Sequence, residues 1–123
     1  MEIGGLGKVY KDQEVIIKQG DTGNCMYVIQ SGEVEILKEN EGTLVHIATR
    51  NSGDFFGEMA LFSHELRSAT VRALGDVRIL TVDKRNLLSS IQKDPSLAFR
   101  IIETLSKRIR DLSEEITPYK FQK

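Results

Sequence analysis

Two short stretches near the middle of the chain carry residue types that can bind an anion. In the first, Gly57 precedes residues 58–62, which are enough for one helical turn. The free main-chain N–H groups at the start of such a turn attract negative charge. In the second, Arg67 follows Glu58 by nine residues, and a guanidinium can bind two phosphate oxygens at once. Together the stretches predict a site for a phosphate group.

The residues beside them fit a small ligand that carries both a ribose and one phosphate. Ser68 adds a hydroxyl group, and Ala69 leaves room for the main chain to approach a ligand closely. The carboxylate of Glu58 can accept a hydrogen bond from a sugar hydroxyl. From the spacing alone, a salt bridge between Glu58 and Arg67 that joins a turn to a strand is an equally good interpretation.

The first two thirds of the chain read as short β-strands. The predicted strands cover residues 14–18, 26–29, 34–36, 44–48, 68–74 and 77–82. The predicted turns between them carry glycines, among them Gly20, Gly32, Gly42, Gly53 and Gly75. Many short strands with turn signals every 8–12 residues or so are typical of a β-sandwich or a closed barrel.

The last third of the chain changes to a helical period. Residues 84–91 suit a short helix. Asp94 is a plausible N-cap and Pro95 suits the first helical position of a second helix, predicted over residues 96–116. Thr117-Pro118 is expected to end that helix, because proline cannot donate the main-chain hydrogen bond that would continue it.

Five apolar residues on the long predicted helix recur with spacings of 3, 4, 3 and 4, which is the a/d pattern of a two-helix seam. They are Ile102, Leu105, Ile109, Leu112 and Ile116. Because a strict a/d stripe is narrower than an ordinary core face, the pattern favours a parallel homodimer. The alternative is a monomer in which the seam packs on the chain's own barrel.

Composition excludes several classes of protein and site. The 17 Lys and Arg nearly balance the 18 Asp and Glu. The formal net charge of −1 gives the chain no overall attraction to nucleic acid or an anionic membrane. Cys25 is the sole cysteine and cannot form an internal disulfide. It reads as a buried apolar thiol. With only His46 and His64 beside it, no zinc or iron–sulfur site is predicted. The N-terminus carries no apolar signal segment, so the expected location is the cytoplasm.

The two anion-binding stretches resemble the phosphate-binding cassette of the cyclic nucleotide-binding domain family, which includes the catabolite activator protein and the regulatory subunits of protein kinase A. The matching residues are Gly57-Glu58-Met59-Ala60 and Arg67-Ser68-Ala69. The glycines of that family also find matches in Gly20, Gly32 and Gly53. The resemblance covers about residues 8–116.

The resemblance implies a fold and a domain organisation. The fold would be mainly β with helices: a double-stranded β-helix, or jelly-roll, barrel that carries the cassette and a long C-terminal helix. Residues 1–95 would form the β-roll, residues 96–116 the long helix and residues 117–123 a tail. The implied function is a regulatory domain that binds cAMP or, less favoured, cGMP.

The resemblance also implies roles for the cassette residues. Arg67 would pair with the cyclic phosphate, and Ser68 with the amides around Gly57 and Ala69 would complete the phosphate contacts. Glu58 would accept the ribose 2′-hydroxyl. Three apolar residues would line the ribose and base: Ile36, Ile47 and Met59. Ile36 and Ile47 are equally well explained as ordinary barrel core.

The long helix resembles the helix that covers the base in this family. Arg108 and Ser113 fall where the catabolite activator branch has residues near the nucleotide. Leu112 falls where a polar residue that contacts the base would stand, which removes one adenine contact. The choice of base is therefore left nearly open, with cAMP favoured.

Two other functions compete with that of a nucleotide sensor. A degenerate β-roll could serve only as a dimerisation or docking unit, although the intact Glu58 and Arg67 argue against decay of the site. A metal enzyme of the double-stranded β-helix class would need clustered histidine and carboxylate ligands. We predict a binding domain and not an enzyme. Because only residues 117–123 follow the long helix, we also expect no direct contact with nucleic acid. The balanced charge and the lack of a long apolar run lead us to expect none with a membrane.

Overall fold

The computed structural model describes residues 5–120 of the chain, and their side chains as far as residue 115. Its elements are β1 Lys8–Tyr10, β2 Val15–Ile17, β3 Cys25–Asn40, β4 Thr43–Asn51, β5 Phe55–Phe56, α1 Glu58–Ser63, β6 Thr70–Asp83, α2 Lys84–Lys93 and α3 Ser96–Lys120. The chain divides into two compact units between Leu88 and Ser89, inside α2. The first unit holds all the described strands.

Two long strands form the centre of the sheet. β3 and β6 run antiparallel from the pair Cys25 and Asp83 to the pair Leu37 and Thr70. The sheet order is β1-β6-β3-β4, while β2 also pairs with β6 and β5 with β3. Because β1 and β4 stand at the two ends of this order, the described sheet is a β-roll that is not closed into a barrel. The expected class, mainly β with helices, is confirmed.

Both central strands bend at a glycine where the sequence predicts a turn. Gly32 has φ +90° within β3, and Gly75 has φ +71° within β6. A Cβ atom on Gly32 would lie 2.7 Å from the carbonyl oxygen of Asp76, so the two bends touch. The predicted breaks at residues 31–32 and 75–76 are therefore wrong. Glycine there permits a left-handed residue and a shift of register, and each strand continues beyond it.

The hairpin between β3 and β4 is confirmed. Asn40 pairs with Thr43 across a two-residue turn in which Glu41 has φ +53° and Gly42 has φ +81°. Two positive φ values match the type I′ turn, whose twist suits a two-residue hairpin. The return strand β4 is longer than predicted and reaches Asn51.

Inward-facing residues of the sheet form one apolar cluster. Its members are Ile17, Ile29, Val34, Phe56, Val71, Ala73, Val77 and Ile79. On β6 the buried residues alternate with more exposed ones on both sides of the bend, as expected for a strand with one face in the core. Phe56, which directly precedes Gly57, is a member of this cluster, so the core anchors the start of the predicted cassette.

The long helix α3 starts as the sequence predicts. The hydroxyl of Ser96 donates to Asp94 Oδ1 at 2.6 Å, and this bond holds the pKa of the Asp94 carboxyl below its usual value. The amide of Leu97 donates to the main-chain oxygen of Asp94 at 3.0 Å. These contacts satisfy groups that a helix start would otherwise leave without partners.

The predicted end of α3 is wrong, because the helix passes Thr117-Pro118 and reaches Lys120. Proline removes one main-chain hydrogen bond, and this loss falls in the final turns, where few bonds remain to be disrupted. None of the described helices is both long and apolar enough to span a membrane.

The apolar seam of α3 is largely exposed. Ile102, Ile109 and Leu112 have 61%, 65% and 57% of their surface exposed, while Leu105 is half-buried. The side chain of Ile116 lies outside the described residues.

Candidate functional site

The cassette begins with the short helix α1, as predicted. Gly57 stands immediately before it with φ +79° and ψ +13°, a left-handed conformation that favours glycine. Ala60 and Leu61 are buried and anchor the helix. The side chain of Met59 is exposed to solvent. At the other end, the amide of His64 donates to the carbonyl of Ala60 at 3.1 Å. Glycine therefore sets the direction in which the chain leaves β5.

Arg67 is the centre of the site. Only 7% of its surface is exposed, and it is the charged residue buried within the described part of the chain. Its Nη1 donates to the carbonyl of Gly57 at 2.9 Å, and its Nη2 donates to the carbonyl of Cys25 at 2.9 Å. Nη2 also lies 3.6 Å from the Cys25 thiol sulfur. The guanidinium therefore joins the start of the cassette to the start of β3.

The main chain of Arg67 is fixed as firmly as its side chain. Its amide donates to the carbonyl of Asp21 at 2.8 Å, and its carbonyl accepts from the amide of Gly20 at 2.8 Å. Nearby, the amide of Gln19 donates to the hydroxyl of Thr70 at 3.1 Å. The loop between β2 and β3 is thus paired with the segment that carries Arg67, although Asp21 and Arg67 are 46 positions apart in sequence.

An aromatic wall stands beside the guanidinium. The Arg67 Cζ atom lies 5.5 Å from the centre of the Tyr27 ring, within range of a cation–π interaction. Tyr27 in turn stacks on Phe56, with ring centres 5.2 Å apart and planes 18° apart. Burial raises the pKa of Tyr27 to about 12, and the contact with Cys25 adds to the rise. The phenol therefore stays neutral at physiological pH.

The guanidinium keeps hydrogen-bonding capacity for a ligand. An arginine side chain carries five N–H groups. The two carbonyl contacts use two of them, and the long contact with the Cys25 sulfur is weak. At least two N–H groups, one on Nε and one on Nη1, are therefore left to donate to an anion. Ser68 and Ala69 follow Arg67 directly in the chain. Ser68 is exposed and Ala69 is half-buried, so a ligand at Arg67 could reach both.

The structure brings some predicted residues together and leaves others apart. Gly57 and Arg67 are in direct contact, and Glu58 is half-buried at the start of α1. Met59 and Ile47 are more than half exposed, so Ile47 is not core. Ile36 is half-buried and packs against the core cluster.

The two predicted residues of the long helix belong to the other compact unit. Arg108 is half-buried and Ser113 is exposed on α3.

Sequence reasoning missed the partners of Arg67. Cys25 is half-buried, not the buried apolar thiol expected, and its carbonyl oxygen is one of the two acceptors. Tyr27, Asp21 and Gly23 were not predicted as site residues. A main-chain carbonyl has no signature in sequence. The two glycines Gly20 and Gly23, three positions apart just before a strand, are the signal that could have drawn attention to this loop.

Comparison with known proteins points to one family. The family model for the cyclic nucleotide-binding domain matches residues 7–94. Over 76 residues, the chain is 42% identical to the cAMP-dependent protein kinase regulatory subunit of Schizosaccharomyces pombe. That alignment covers 62% of this chain and 18% of the subunit.

Solved structures give the same picture. The catabolite activator protein of Thermus thermophilus superposes with a TM-score of 0.82 at 29% identity, over 93% of this chain and 54% of that one. The EAL enzyme Bd1971 in its cAMP-bound form superposes with a TM-score of 0.65 at 32% identity, over 90% of this chain and 30% of that one. The same enzyme has been solved in a cGMP-bound form. The chain thus spans about half or less of the length of these relatives.

The contact between Gly57 and Arg67 predicts a stability difference between two glycine variants. Gly57→Ala and Gly42→Ala both place a side chain at φ near +80°. At Gly42 a Cβ atom meets nothing within 4 Å, whereas at Gly57 it lies 2.9 Å from Arg67 Nη1 and 3.1 Å from Ile17 Cδ1. We expect Gly42→Ala to lower the free energy of unfolding by about 1–2 kcal/mol through backbone strain alone. Gly57→Ala should lose at least about 1 kcal/mol more from crowding. Urea unfolding measures both, and equal losses would contradict the close packing at Gly57.

Proposed function

The chain belongs to the cyclic nucleotide-binding domain family, and from that premise we propose that it binds a cyclic nucleotide as a regulatory sensor domain. The observation that carries the proposal is the buried guanidinium of Arg67, held by Gly57 and Cys25 with N–H groups to spare. A cytoplasmic location, expected from the sequence, belongs to the same proposal.

Electrostatics favours an anion at this position. Each partner of the Arg67 side chain described above is neutral: two carbonyl oxygens, a thiol and a phenol ring. A buried cation is strongly stabilised by an opposite charge in direct contact. A cyclic phosphate carries one negative charge and two free oxygens, which match one guanidinium edge. Ser68 and the amides around Gly57 and Ala69 are proposed to complete the contacts.

The carboxylate of Glu58 is proposed to select the sugar. Glu58 stands at the first position of α1, directly after Gly57. A carboxylate close to a phosphate is unfavourable unless it accepts a hydrogen bond, and the ribose 2′-hydroxyl can donate one. This role requires Arg67 to neutralise the phosphate on the other side of the ligand.

The apolar contacts and the identity of the base are less constrained. Met59 and Ile47 offer exposed apolar surface, and Ile36 offers a half-buried one. Arg108 and Ser113 stay proposed ligand contacts by resemblance. We propose cAMP as the favoured ligand, supported by the kinase regulatory subunit that the chain resembles. The related EAL enzyme, solved with either nucleotide, keeps cGMP as the second choice.

A homodimer through α3 is proposed as the means by which ligand binding is read. Ile102, Ile109 and Leu112 are each more than half exposed, and burial of such side chains stabilises an interface by about 1.5–3 kcal/mol each. Association itself costs an estimated 4–15 kcal/mol, so the seam supports a dimer of moderate affinity. In these relatives the matching region is a small part of a much longer chain. We therefore propose that a separate domain or partner protein responds to the change in the dimer.

Replacing Arg67 tests the proposed function. Loss of a buried, charge-assisted hydrogen bond costs about 1.5–3 kcal/mol, so Arg67→Ala should weaken cAMP binding at least about tenfold. Calorimetric titration measures the affinity, and circular dichroism verifies the fold. Arg85→Ala, which removes an exposed arginine on α2, is the matched control and should bind as the native protein does. Unchanged affinity in folded Arg67→Ala would place the phosphate elsewhere.

The role of Glu58 is tested with the ligand as well as the protein. The native protein should bind 2′-deoxy-cAMP more weakly than cAMP, by roughly tenfold, because one hydrogen bond to a charged group is lost. Glu58→Gln should show a smaller difference between the two ligands. If the variant discriminates between them as strongly as the native protein, Glu58 does not recognise the 2′-hydroxyl.

The proposed dimer is tested by placing a charge in the seam. Ile109→Glu would bury a carboxylate in an apolar interface, so it should shift the protein to monomer while leaving the β-roll folded. Lys107→Glu makes a charge change at an exposed position outside the seam and should keep the dimer. Light scattering at tens of micromolar, with and without nucleotide, measures the mass. A native protein that is monomeric in both conditions would contradict the dimer proposal. It would favour the alternative, a monomer in which the seam packs on the chain's own barrel.

A further inference from the structure

We infer that Gly23 is a positioning residue for the Arg67 guanidinium, an inference that rests on the proposed binding of phosphate by Arg67. Gly23 lies in the loop between β2 and β3, two residues before Cys25. A Cβ atom added at Gly23 would overlap three atoms of the guanidinium: Nε, Cζ and Nη2. The guanidinium therefore lies directly against the main chain at residue 23.

Glycine is required at this position by space and not by backbone conformation. The φ angle of Gly23 lies outside the left-handed region, so an alanine could adopt the same backbone. Gly20, in the same loop, has the opposite properties: its φ is +91°, and a Cβ atom there would meet nothing within 4 Å. The two glycines of one loop thus do different work. Gly20 permits a turn, and Gly23 leaves room for the arginine.

Neither the loop nor the guanidinium can move away without breaking contacts. The loop is tied to Arg67 by the Asp21 carbonyl and the Gly20 amide, both at 2.8 Å. The guanidinium is tied to Gly57 and Cys25 by bonds of 2.9 Å. A methyl group at residue 23 must displace one of these two sets. Because the overlap involves three of its atoms, a displaced guanidinium turns as a unit and changes the direction of all its free N–H groups.

The direction of those N–H groups decides the phosphate contact. Bidentate binding needs both N–H vectors aimed at two oxygens of one phosphate, and a rotated fork loses at least one of them. A lysine has no planar fork and can adjust a single charged tip. Gly23 should therefore matter for arginine at position 67 and much less for lysine.

The first experiment is a ligand titration of four proteins: native, Gly23→Ala, Arg67→Lys and the double variant. We expect Gly23→Ala to weaken cAMP binding at least about fivefold in the native background and less than about twofold in the Arg67→Lys background. Thr22→Ala, a change at the exposed neighbouring residue, is the matched control and should bind as the native protein does. Equal losses in the two backgrounds would overturn the inference.

A second readout reports the geometry of the contact itself. The two phosphorothioate diastereomers of cAMP replace one or the other free phosphate oxygen with sulfur. A turned guanidinium should change their affinity ratio by at least about threefold in Gly23→Ala, whereas a general loosening of the fold weakens both alike. An unchanged ratio together with a weakened Kd would make Gly23 a structural residue only and overturn the inference.

A third measurement needs no ligand and applies to a variant that still folds but no longer binds. Gly23→Ala should lower the urea midpoint of the native protein, but it should not lower that of Arg67→Ala further, because the guanidinium that it overlaps is then absent. Additive losses would overturn the inference. Failure of the proposed function has a different signature: the native protein binds neither nucleotide, while this stability pattern still separates the two backgrounds.

Discussion

A positive charge buried at one end of a β-roll is the constraint on which the site depends. The Arg67 guanidinium is almost fully removed from water and must find its hydrogen bonds inside the protein. It finds them on main-chain carbonyls of Gly57 and Cys25, which belong to two different elements. These neutral carbonyl oxygens accept two of its N–H groups but do not balance its positive charge. We propose that the phosphate of a bound ligand supplies the opposite charge.

Several features of the sheet follow from holding that cation in place. The strands β3 and β6 continue through the bends at Gly32 and Gly75 with a shift of register, and the start of β3 pairs with the end of β6. Cys25 and Tyr27 therefore stand at fixed positions beside the cassette. The loop before β3 pairs with the main chain of Arg67 itself. A ligand bound at Arg67, as we propose, would meet a preorganised contact, which reduces the ordering cost of binding.

Local signals made much of the fold predictable. The Glu41-Gly42 hairpin turn, the Asp94 cap and the short helix after Gly57 each depend on residues close together in sequence. Glycine was the ambiguous signal, because a glycine with positive φ occurs both where a turn closes, at Gly42, and where a strand bends and continues, at Gly32 and Gly75. Pro118 was misread for a related reason, since its cost depends on how much helix follows it.

The cassette motif likewise identified Gly57 and Arg67, which the structure places in contact. It did not identify the other partners of the arginine, because a carbonyl acceptor or the clearance left by Gly23 depends on distant parts of the chain meeting in space.

The most direct test of the account is nuclear magnetic resonance of the Arg67 Nε–Hε group, assigned with Arg67→Lys, during titration of the native protein with cAMP. The account predicts a large shift of this signal that saturates together with the amides of Ser68 and Ala69. Binding that leaves the Arg67 signal unmoved, or no binding at millimolar cAMP, would contradict it.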